Sequence, residues 1–370
     1  MSEKILRMAV AGAGGIGKHH AEAIAGLRGA ALTAICDLDT ERARALAAAT
    51  GAPRHDVDLG KMLAEGGIDA VSICSDHGSH GRLVEICAAA RVHCIVEKPL
   101  SIRLSEAIRM VETARAAGIS MGAIFQRRFF PAAQRMKAAI VAGRIGPVTA
   151  AECLAHLGRD KAYFDQADWR GTWTGEGGGA LMNQAIHMVD MLQWMVGEPK
   201  EIYGRWATLK HGDYANVEDT TAAVVSFANG AIATIQALTT LEPPYGFRLT
   251  VHGLNGATLG LSEWPELTQA ITDLWTLTDE PDPRETWEFG EERRPGFPMF
   301  HKLQLQDFVD AILEGREPAV TGAEGLKALH LIKGIYLSQL RRRPVRLPLT
   351  GEDIAEVEQY DTRGWPKVEP

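Results

Sequence analysis

The pattern of apolar and polar positions divides the chain into two parts. From residue 5 to about residue 124, short apolar runs typical of strands alternate with stretches of helical period. The predicted strands are ILRMAVAG, ALTAICD, DAVSICS, HCIVEKP and GISMGAIF. Four helices are predicted: three begin at Lys18, Thr40 and Ser105, and one contains RLVEICAAA. This alternation predicts an α/β domain with a doubly wound parallel sheet. We place that domain at residues 1–124.

After residue 125 the strand-like runs become longer. Asn-Gly at 229–230 and at 255–256 joins pairs of β-rich segments, which predicts hairpins closed by type I′ turns. Residues 300–315 and 323–340 have the period of amphipathic helices. We therefore predict an α+β domain with a large, mostly antiparallel open sheet at residues 125–370.

Composition limits the classes of partner. The chain has 370 residues, 46% of them hydrophobic, and a formal net charge of −8, so two globular domains are expected and a polyanionic partner is not. No stretch has the length and apolarity of a membrane span, and the first residues do not resemble a secretion signal. We expect a cytoplasmic protein that binds neither nucleic acid nor membrane. Its five cysteines show no CxxC pairing, which is typical of small buried residues in a reducing compartment.

A glycine motif follows the first predicted strand. Gly12, Gly14 and Gly17 have the G-x-G-x-x-G spacing, a helix follows them, and Asp37 ends the next strand twenty residues later. This context is the dinucleotide fingerprint of a Rossmann fold. Gly12 makes the tight turn, Gly14 lets a pyrophosphate approach the backbone, and Gly17 allows close packing of helix and strand.

Asp37 favours NAD over NADP, because its carboxylate can accept hydrogen bonds from a ribose hydroxyl and would repel a 2′-phosphate. Arg42 and Arg44 lie nearby in sequence and weaken this preference. Asp37 could also cap the following helix, and Asp39 and Thr40 are alternative caps.

Lys98 follows the buried run HCIV directly, so it lies at the carboxyl edge of the predicted parallel sheet, where open α/β folds bind ligands. A lysine there can hydrogen-bond a substrate oxygen and take part in proton transfer. A surface lysine paired with Glu97 is the alternative.

The segment GGGALMNQAIHMVDMLQW at 177–194 has the character of a buried helix. Asn183, His187 and Asp190 have i, i+4, i+7 spacing, which places them on one side of an α-helix. A histidine suits removal of a hydroxyl proton during hydride transfer, although a buried histidine is often only structural. The three glycines would let the backbone approach a ligand closely.

The paired histidines do not predict a metal site. His19 and His20 are adjacent on a helix and so face different directions, and His77 and His80 lack a cysteine or carboxylate at ligand spacing. We therefore expect no bound metal.

These motifs together resemble the GFO/IDH/MocA family of NAD(P)-dependent oxidoreductases, which includes glucose-fructose oxidoreductase and inositol 2-dehydrogenase. The resemblance rests on GAGGIGKHH, EKP at 97–99, RRFFP at 127–131, WRG at 169–171 and GGGALMNQAIHMVD at 177–190. It implies a Rossmann domain followed by an α/β domain whose open sheet forms oligomer contacts, so we expect a homodimer or homotetramer. Many members have an aspartate where this chain has Asn183, and an amide cannot accept a proton.

The resemblance implies that Lys98 contacts the reacting hydroxyl and that His187 is the acid/base, with Asn183 as a positioning group. The predicted cofactor-binding residues are Gly12, Gly14, Gly15, Ile16, Gly17, Asp37, Ser75, His80, Glu97 and Lys98. The predicted substrate-binding residues are Gln126, Arg127, His156, Trp169 and Arg170. For Trp169 a core position, and for Arg170 a salt bridge, are equally good interpretations.

The sequence thus predicts an NAD-dependent dehydrogenase that acts on a secondary alcohol of a sugar, sugar acid or cyclitol. Two other functions use similar folds. One is NAD-dependent glycoside cleavage through transient oxidation, and the other is a dinucleotide-sensing regulator without turnover. The presence of both Lys98 and His187 argues against the regulator.

Overall fold

The computed structural model describes residues 4–263, 270–277 and 298–363. The chain divides into two compact units. Unit 1 comprises residues 1–101, 105–126 and 296–326, and unit 2 comprises residues 102–104, 127–295 and 327–370.

Unit 1 begins with alternating strands and helices. In chain order these are β1 (Leu6–Ala11), α1 (Gly15–Ala25), β2 (Ala30–Cys36), α2 (Thr40–Thr50), β3 (Arg54–Asp56), α3 (Leu59–Ala64), β4 (Ala70–Ile73), α4 (His80–Ala89), β5 (His93–Val96), α5 (Leu104–Ala116) and β6 (Met121–Ala123). The six strands form one parallel sheet in the order β3-β2-β1-β4-β5-β6. The predicted doubly wound sheet is confirmed. The short β3 and α3 were not predicted, because three and six residues are too few for a periodic signal.

The second half of the chain returns to complete unit 1. The elements that come first belong to unit 2: α6 (Pro131–Val141), β7 (Val148–His156), α7 (Lys161–Phe164), α8 (Trp173–Glu176), α9 (Ile186–Val196), β8 (Pro199–Ala207), β9 (Thr220–Phe227), β10 (Ile232–Leu238), β11 (Gly246–Gly253), β12 (Thr258–Glu263) and β13 (Ala270–Trp275). The chain then forms α10 (Pro298–Glu314). Leu305, Phe308 and Val309 of α10 belong to the same buried core as Met8 and Ile24. The predicted boundary, with everything after residue 124 in the second domain, is therefore wrong for residues 296–326. Burial of this apolar helix face is the physical reason.

Unit 2 is completed by α11 (Gly322–Arg341), β14 (Val345–Arg346) and α12 (Gly351–Arg363). Within the described residues its sheet has eight strands, in the order β13-β12-β11-β7-β10-β9-β8-β14. Most neighbours are antiparallel, and β10 pairs with β7 in parallel. The predicted large, mostly antiparallel sheet is confirmed.

Both predicted Asn-Gly hairpins form, although the turn type differs from the prediction. Gly230 and Gly256 each have φ of +88°, while neither preceding asparagine has positive φ. In the first hairpin the N–H of Gly230 donates to the carbonyl of Phe227, and the N–H of Phe227 donates to that of Ala231. These are three-residue loops with glycine in the left-handed position, and they do not need the positive φ at asparagine that a type I′ turn demands.

Alternate residues of β8, β9 and β10 leave one face of the unit 2 sheet exposed. Tyr203, Val224 and Ile232 are 39%, 48% and 56% exposed on this face. The five cysteines are free and buried, as predicted. None of the helices in the described ranges combines the length and apolarity needed to traverse a bilayer.

Candidate active site

The glycine motif forms a tightly packed turn between β1 and α1. Gly12 has φ of +103°, and a Cβ there would lie 2.6 Å from the backbone of Cys74 and Ser75. A Cβ on Gly17 would lie 1.8 Å from the carbonyl oxygen of Gly12. At Gly14 and Gly15, by contrast, a Cβ would meet nothing within 4 Å. The turn therefore needs two glycines for its own packing and presents the other two to open space, as a turn that receives a diphosphate requires. Ile16, the remaining member of the predicted set here, is half-buried in the first turn of α1.

Asp37 is fixed directly beside this turn. Its Oδ2 accepts the N–H of Ala13 at 2.6 Å, and its Oδ1 accepts the N–H of Asp39 at 2.8 Å. Asp39 is the cap of α2, since its side chain accepts the N–H groups of Glu41 and Arg42. Arg42 lies 3.4 Å from Asp37 and 3.2 Å from Asp39, so two carboxylates offset its charge. This arrangement fits a ribose hydroxyl better than a 2′-phosphate.

Lys98 is half-buried at the carboxyl end of β5, and its backbone N–H donates to Glu97 Oε2 at 3.0 Å. The Glu97 side chain turns into the interior of unit 1, where its other oxygen contacts His20 and His301. Sequence reasoning assigned Glu97 to the cofactor. The structure places its carboxylate in an interior network.

Two further predicted cofactor residues make contacts within the chain. His80 is fully buried, and its Nδ1 lies 3.1 Å from the carbonyl oxygen of Pro99 and 3.2 Å from that of Leu100. Its Nε2 lies 3.2 Å from the carbonyl oxygen of Ser75. His80 thus links the loop after β4 to the loop that follows Lys98. The Ser75 hydroxyl accepts a hydrogen bond from Ser79 Oγ at 2.6 Å.

In unit 2, the three glycines at 177–179 make room for the protein itself. A Cβ on Gly177 would lie 2.7 Å from Ile102, one on Gly178 would lie 2.1 Å from the Tyr336 hydroxyl, and one on Gly179 would lie 2.1 Å from the Glu218 carbonyl oxygen. The prediction that these glycines provide clearance for a ligand is wrong, because atoms of unit 2 fill the space.

Residues Ala180–Ala185 form a π-helical turn before α9. Asn183 lies in this turn and His187 in the first turn of α9, so the α-helical spacing predicted for the pair does not apply. Asn183 is half-buried, and His187 is 4% exposed. Inserted π turns are frequent at functional sites because they redirect side chains.

Asn183 belongs to a polar network with Glu176 and Tyr163. Its amide Nδ2 donates to Glu176 Oε1 and to the Tyr163 hydroxyl, the latter at 2.9 Å. Glu176 is 1% exposed, and its Oε2 accepts the N–H of Gly171 at 2.7 Å. Burial, with a further contribution from Glu176, raises the pKa of Tyr163 to about 12, so the phenol stays protonated. The amide at 183 is thus the donor that the buried carboxylate of Glu176 requires.

Asp190 and Arg127 have structural roles. Asp190 is fully buried in a two-pronged ion pair with Arg128, at 2.7 Å and 2.6 Å. Arg127 forms the same kind of pair with Glu263, at 2.7 Å and 3.0 Å, and packs over Phe247. Arg127 was predicted to bind substrate, but its guanidinium is already committed to a buried carboxylate.

The structure separates the other predicted substrate residues. The Arg170 guanidinium lies over the rings of Tyr163 and Trp169, at 4.5 Å and 4.7 Å, and donates to the Tyr163 hydroxyl at 2.5 Å. It therefore joins the Asn183 network and has no ion-pair partner within the described residues. His156 instead hydrogen-bonds Gln236 on the exposed face of the sheet. Gln126 is buried in unit 1, and its Oε1 has no hydrogen-bond partner among the described residues.

Glu218 anchors the beginning of the π-helical turn. Its carboxylate accepts the N–H groups of Gly179 at 2.7 Å and Leu181 at 2.9 Å, as well as the Tyr336 hydroxyl at 2.9 Å. Burial raises the pKa of Glu218 to about 7, although these hydrogen bonds oppose the shift. A small cavity of about 10 Å³ lies beside it in unit 2, lined in part by Arg159, Tyr163 and Gln184.

Sequence reasoning missed several residues of this site. Glu176, Glu218, Tyr163 and Arg159 stand in no recognisable motif. The structure reveals Glu176 and Glu218 by their burial, and Tyr163 and Arg159 by their contacts. His20, Glu97 and His301 place ligand-type atoms within 4.8 Å of one another although 281 positions separate the outer two. The only sequence signal for the Tyr163 network was the W-R-G segment at 169–171, which contains Arg170.

Comparison with known proteins yields relatives that match most of the chain. Residues 6–124 match the model described as the oxidoreductase family with an NAD-binding Rossmann fold, and residues 133–258 match the GFO/IDH/MocA C-terminal domain. Inositol 2-dehydrogenase of Rhizobium meliloti is 30% identical over 92% of this chain and 99% of that protein. Myo-inositol 2-dehydrogenase of Thermotoga maritima is 29% identical over 92% of this chain and 98% of that protein. The solved WlbA dehydrogenase of Bordetella pertussis, in complex with NADH and UDP-GlcNAcA, is 32% identical with a TM-score of 0.81, over 94% of this chain and 100% of that one.

Asn183→Asp tests the role of Glu176. The variant places two carboxylates in contact in a buried site, so we expect a loss of about 2–3 kcal/mol in the free energy of unfolding at pH 8. The loss should shrink at acid pH, where one carboxyl is protonated. Denaturant titration measures it. In the double variant Asn183→Asp with Glu176→Gln the donor and acceptor exchange places, and most of the stability should return. A double variant that loses the sum of the two single effects would contradict this account.

Glu218→Gln tests the pH dependence of stability. Because the folded-state pKa of Glu218 lies above its ordinary value of 4.5, the folded chain holds this proton more tightly than the unfolded chain. The contribution of Glu218 to the free energy of unfolding is therefore fully present below pH 4.5. It falls by roughly 3 kcal/mol as the pH rises through 7. We expect the unfolding free energy of Glu218→Gln to fall less between pH 5 and pH 8 than that of the wild type.

Tyr336→Phe is the matched control for Glu218. It retains the carboxyl group and removes one hydrogen bond that lowers the pKa of Glu218, so the fall in stability with pH should become steeper. Parallel stability curves for the wild type and Glu218→Gln would show that Glu218 does not titrate in this range.

Proposed function

The chain belongs to the GFO/IDH/MocA family of oxidoreductases, and on that premise we propose that it transfers a hydride between a secondary alcohol of a sugar, sugar acid or cyclitol and NAD. The observation that carries the proposal is the turn at Gly12–Gly17 with the Asp37 carboxylate fixed beside it. Relatives named inositol 2-dehydrogenase and D-apiose dehydrogenase support the substrate class, since both names denote polyhydroxylated substrates.

The residues of unit 1 fit the dinucleotide. The N–H groups at the start of α1 would hold the diphosphate, and the Asp37 carboxylate would accept from the ribose. When bound, the nicotinamide supplies the acceptor for the hydride. Gly14 and Gly15 present open space there, as a cofactor that approaches the backbone requires.

We assign the chemistry of the alcohol to three residues. His187 takes the hydroxyl proton, and Lys98 donates a hydrogen bond to the reacting oxygen, which stabilises the negative charge that develops there. Asn183 orients a substrate hydroxyl through its amide oxygen, because its N–H groups are used by Glu176 and Tyr163.

For the rest of the substrate we propose Trp169 and Arg170, together with Gln126. Arg170 is held rigid by two aromatic rings and the Tyr163 hydroxyl, and its remaining N–H groups suit hydroxyl or carboxylate oxygens. Arg127 and His156 are left out of this set, because Arg127 is paired with Glu263 and His156 lies on the exposed face of the sheet.

We also propose that the chain forms a homodimer or homotetramer through the open sheet of unit 2. Tyr203 and Val224 lie opposite each other in register on its exposed face, with Ile232 on the next strand. Apolar side chains grouped on one exposed face are typical of an interface. Native mass spectrometry tests this, and a mass of one chain, 40.1 kDa, would contradict it.

The proposed location is the cytoplasm. All five cysteines are free and buried, which suits a reducing compartment. Localisation of a tagged chain by fractionation would test this, and recovery from an oxidising compartment would contradict it.

Lys98→Ala tests the proposed chemistry. We expect the wild type to produce NADH from at least one member of a panel of cyclitols, aldoses and sugar acids, read at 340 nm. Lys98→Ala and His187→Ala should each lower kcat/KM by about 10²–10⁴. Lys61→Ala, which removes an exposed lysine of unit 1, is the matched control and should behave as the wild type.

Two outcomes would contradict the proposal. Turnover by Lys98→Ala at the wild-type rate would remove Lys98 from the chemistry. Release of free sugar from a glycoside without net NADH would show instead the glycoside-cleaving reaction that similar folds support.

A further inference from the structure

Four buried polar side chains form a hydrogen-bonded network beneath the end of β5. Ser72 comes from β4, His20 from α1, Glu97 from the end of β5, and His301 from α10. All four are at most 6% exposed. His20 Nδ1 lies 2.7 Å from Ser72 Oγ, and His20 Nε2 lies 2.9 Å from Glu97 Oε1. His301 Nε2 lies 3.2 Å from the same oxygen of Glu97. Side chains from four segments of the sequence therefore meet in one network around the Glu97 carboxylate.

The chemistry of the groups fixes the direction of each bond. An ionised carboxylate only accepts, so His20 and His301 both donate from Nε2 to Glu97. His20 then presents the lone pair of Nδ1 to the Ser72 hydroxyl, which donates. Burial alone would raise the pKa of Glu97, but the hydrogen bonds from His20 and His301 hold it well below its usual range. Burial also lowers the pKa of His20. The network thus holds an anion in the interior of unit 1.

The second carboxylate oxygen of Glu97 connects the network to the backbone of Lys98. Glu97 Oε2 accepts the Lys98 backbone N–H at 3.0 Å. On the other side of Lys98, His80 lies within hydrogen-bonding distance of the carbonyl oxygens of Pro99 and Leu100. The backbone of Lys98 is therefore fixed before and after its own position by buried side chains.

Hydrogen bonding accounts for this geometry better than a metal ion does. The ligand-type atoms of His20, Glu97 and His301 lie within 4.8 Å of one another, as a metal site would also require. However, both imidazole nitrogens lie at hydrogen-bond distance from a single carboxylate oxygen, and the second nitrogen of His20 is paired with Ser72. A bound metal would be detected directly by the metal content of the purified chain.

We propose that the network of Ser72, His20, Glu97 and His301 positions Lys98 for reaction. The inference rests on the proposed function of Lys98. Glu97 is the positioning residue, since it holds the Lys98 N–H, and His301 is the part that α10 contributes. Because α10 follows most of unit 2 in sequence, Lys98 is correctly placed only after this helix has packed against the earlier elements of unit 1.

His301→Phe tests the proposal, with His301→Gln as its rescue. Phenylalanine fills the volume of the imidazole but cannot donate to Glu97, whereas the glutamine amide can. We expect His301→Phe and Glu97→Gln to lower kcat by about 10–100-fold, with KM and the Kd for NAD changed much less. His301→Gln should retain most of the activity. Cys94→Ala, a buried change in β5 outside the network, controls for general loss of stability.

Hydrogen exchange at the Lys98 amide gives a readout that does not need activity. We expect slow exchange in the wild type, His301→Gln and Cys94→Ala, and faster exchange in His301→Phe and Glu97→Gln. If the wild type proved inactive on every alcohol, the proposed function would fail, while the exchange data would still decide whether the network fixes Lys98.

Two results would overturn the inference. One is a fall in Tm for His301→Phe and Glu97→Gln with kcat and Lys98 exchange equal to those of the wild type, which would make the network structural only. The other is one equivalent of a transition metal in the purified wild type that is lost in His301→Phe, which would make the cluster a metal site.

Discussion

The hydrogen bond from the Ala13 N–H to the Asp37 carboxylate is the contact on which the candidate site of unit 1 depends. Ala13 lies between Gly12, which is pressed against the backbone after β4, and Gly14, which faces open space. The bond joins the ends of β1 and β2 and sets the carboxylate at the edge of the turn. The same packing leaves no room for a side chain at Gly12 or Gly17.

Buried carboxyl groups play the corresponding role beside Lys98 and Asn183 and at the start of the π-helical turn. Glu97 holds the backbone of Lys98, Glu218 holds the first N–H groups of the π-helical turn, and Glu176 holds the amide of Asn183. A carboxyl group in the interior must be satisfied by hydrogen bonds, and the groups that donate these bonds are then fixed in position. The presence of Glu176 also explains why this chain has an amide at 183, where a second acid would meet like charge.

Much of the fold could be predicted from periodicity. Most of the contacts that site residues make with distant parts of the chain could not. The alternation of strand and helix, the glycine turn, Asp37 and the hairpins at 229–230 and 255–256 are local patterns, and local patterns can be read. The return of α10 to unit 1 depends on which apolar face it covers, and no local pattern encodes that choice. The partners of Arg127 and His80 could not be predicted for the same reason, since Glu263 and the carbonyl of Leu100 are brought to them only by the folded chain.

Calorimetric titration of NAD⁺ and NADP⁺ into the purified chain tests whether the turn beside Asp37 is the NAD site. We expect one NAD⁺ per chain, NADP⁺ bound at least about tenfold more weakly because its 2′-phosphate meets the Asp37 carboxylate, and a smaller difference in Asp37→Ala. Equal affinity of the wild type for the two dinucleotides, or no binding of either, would contradict it.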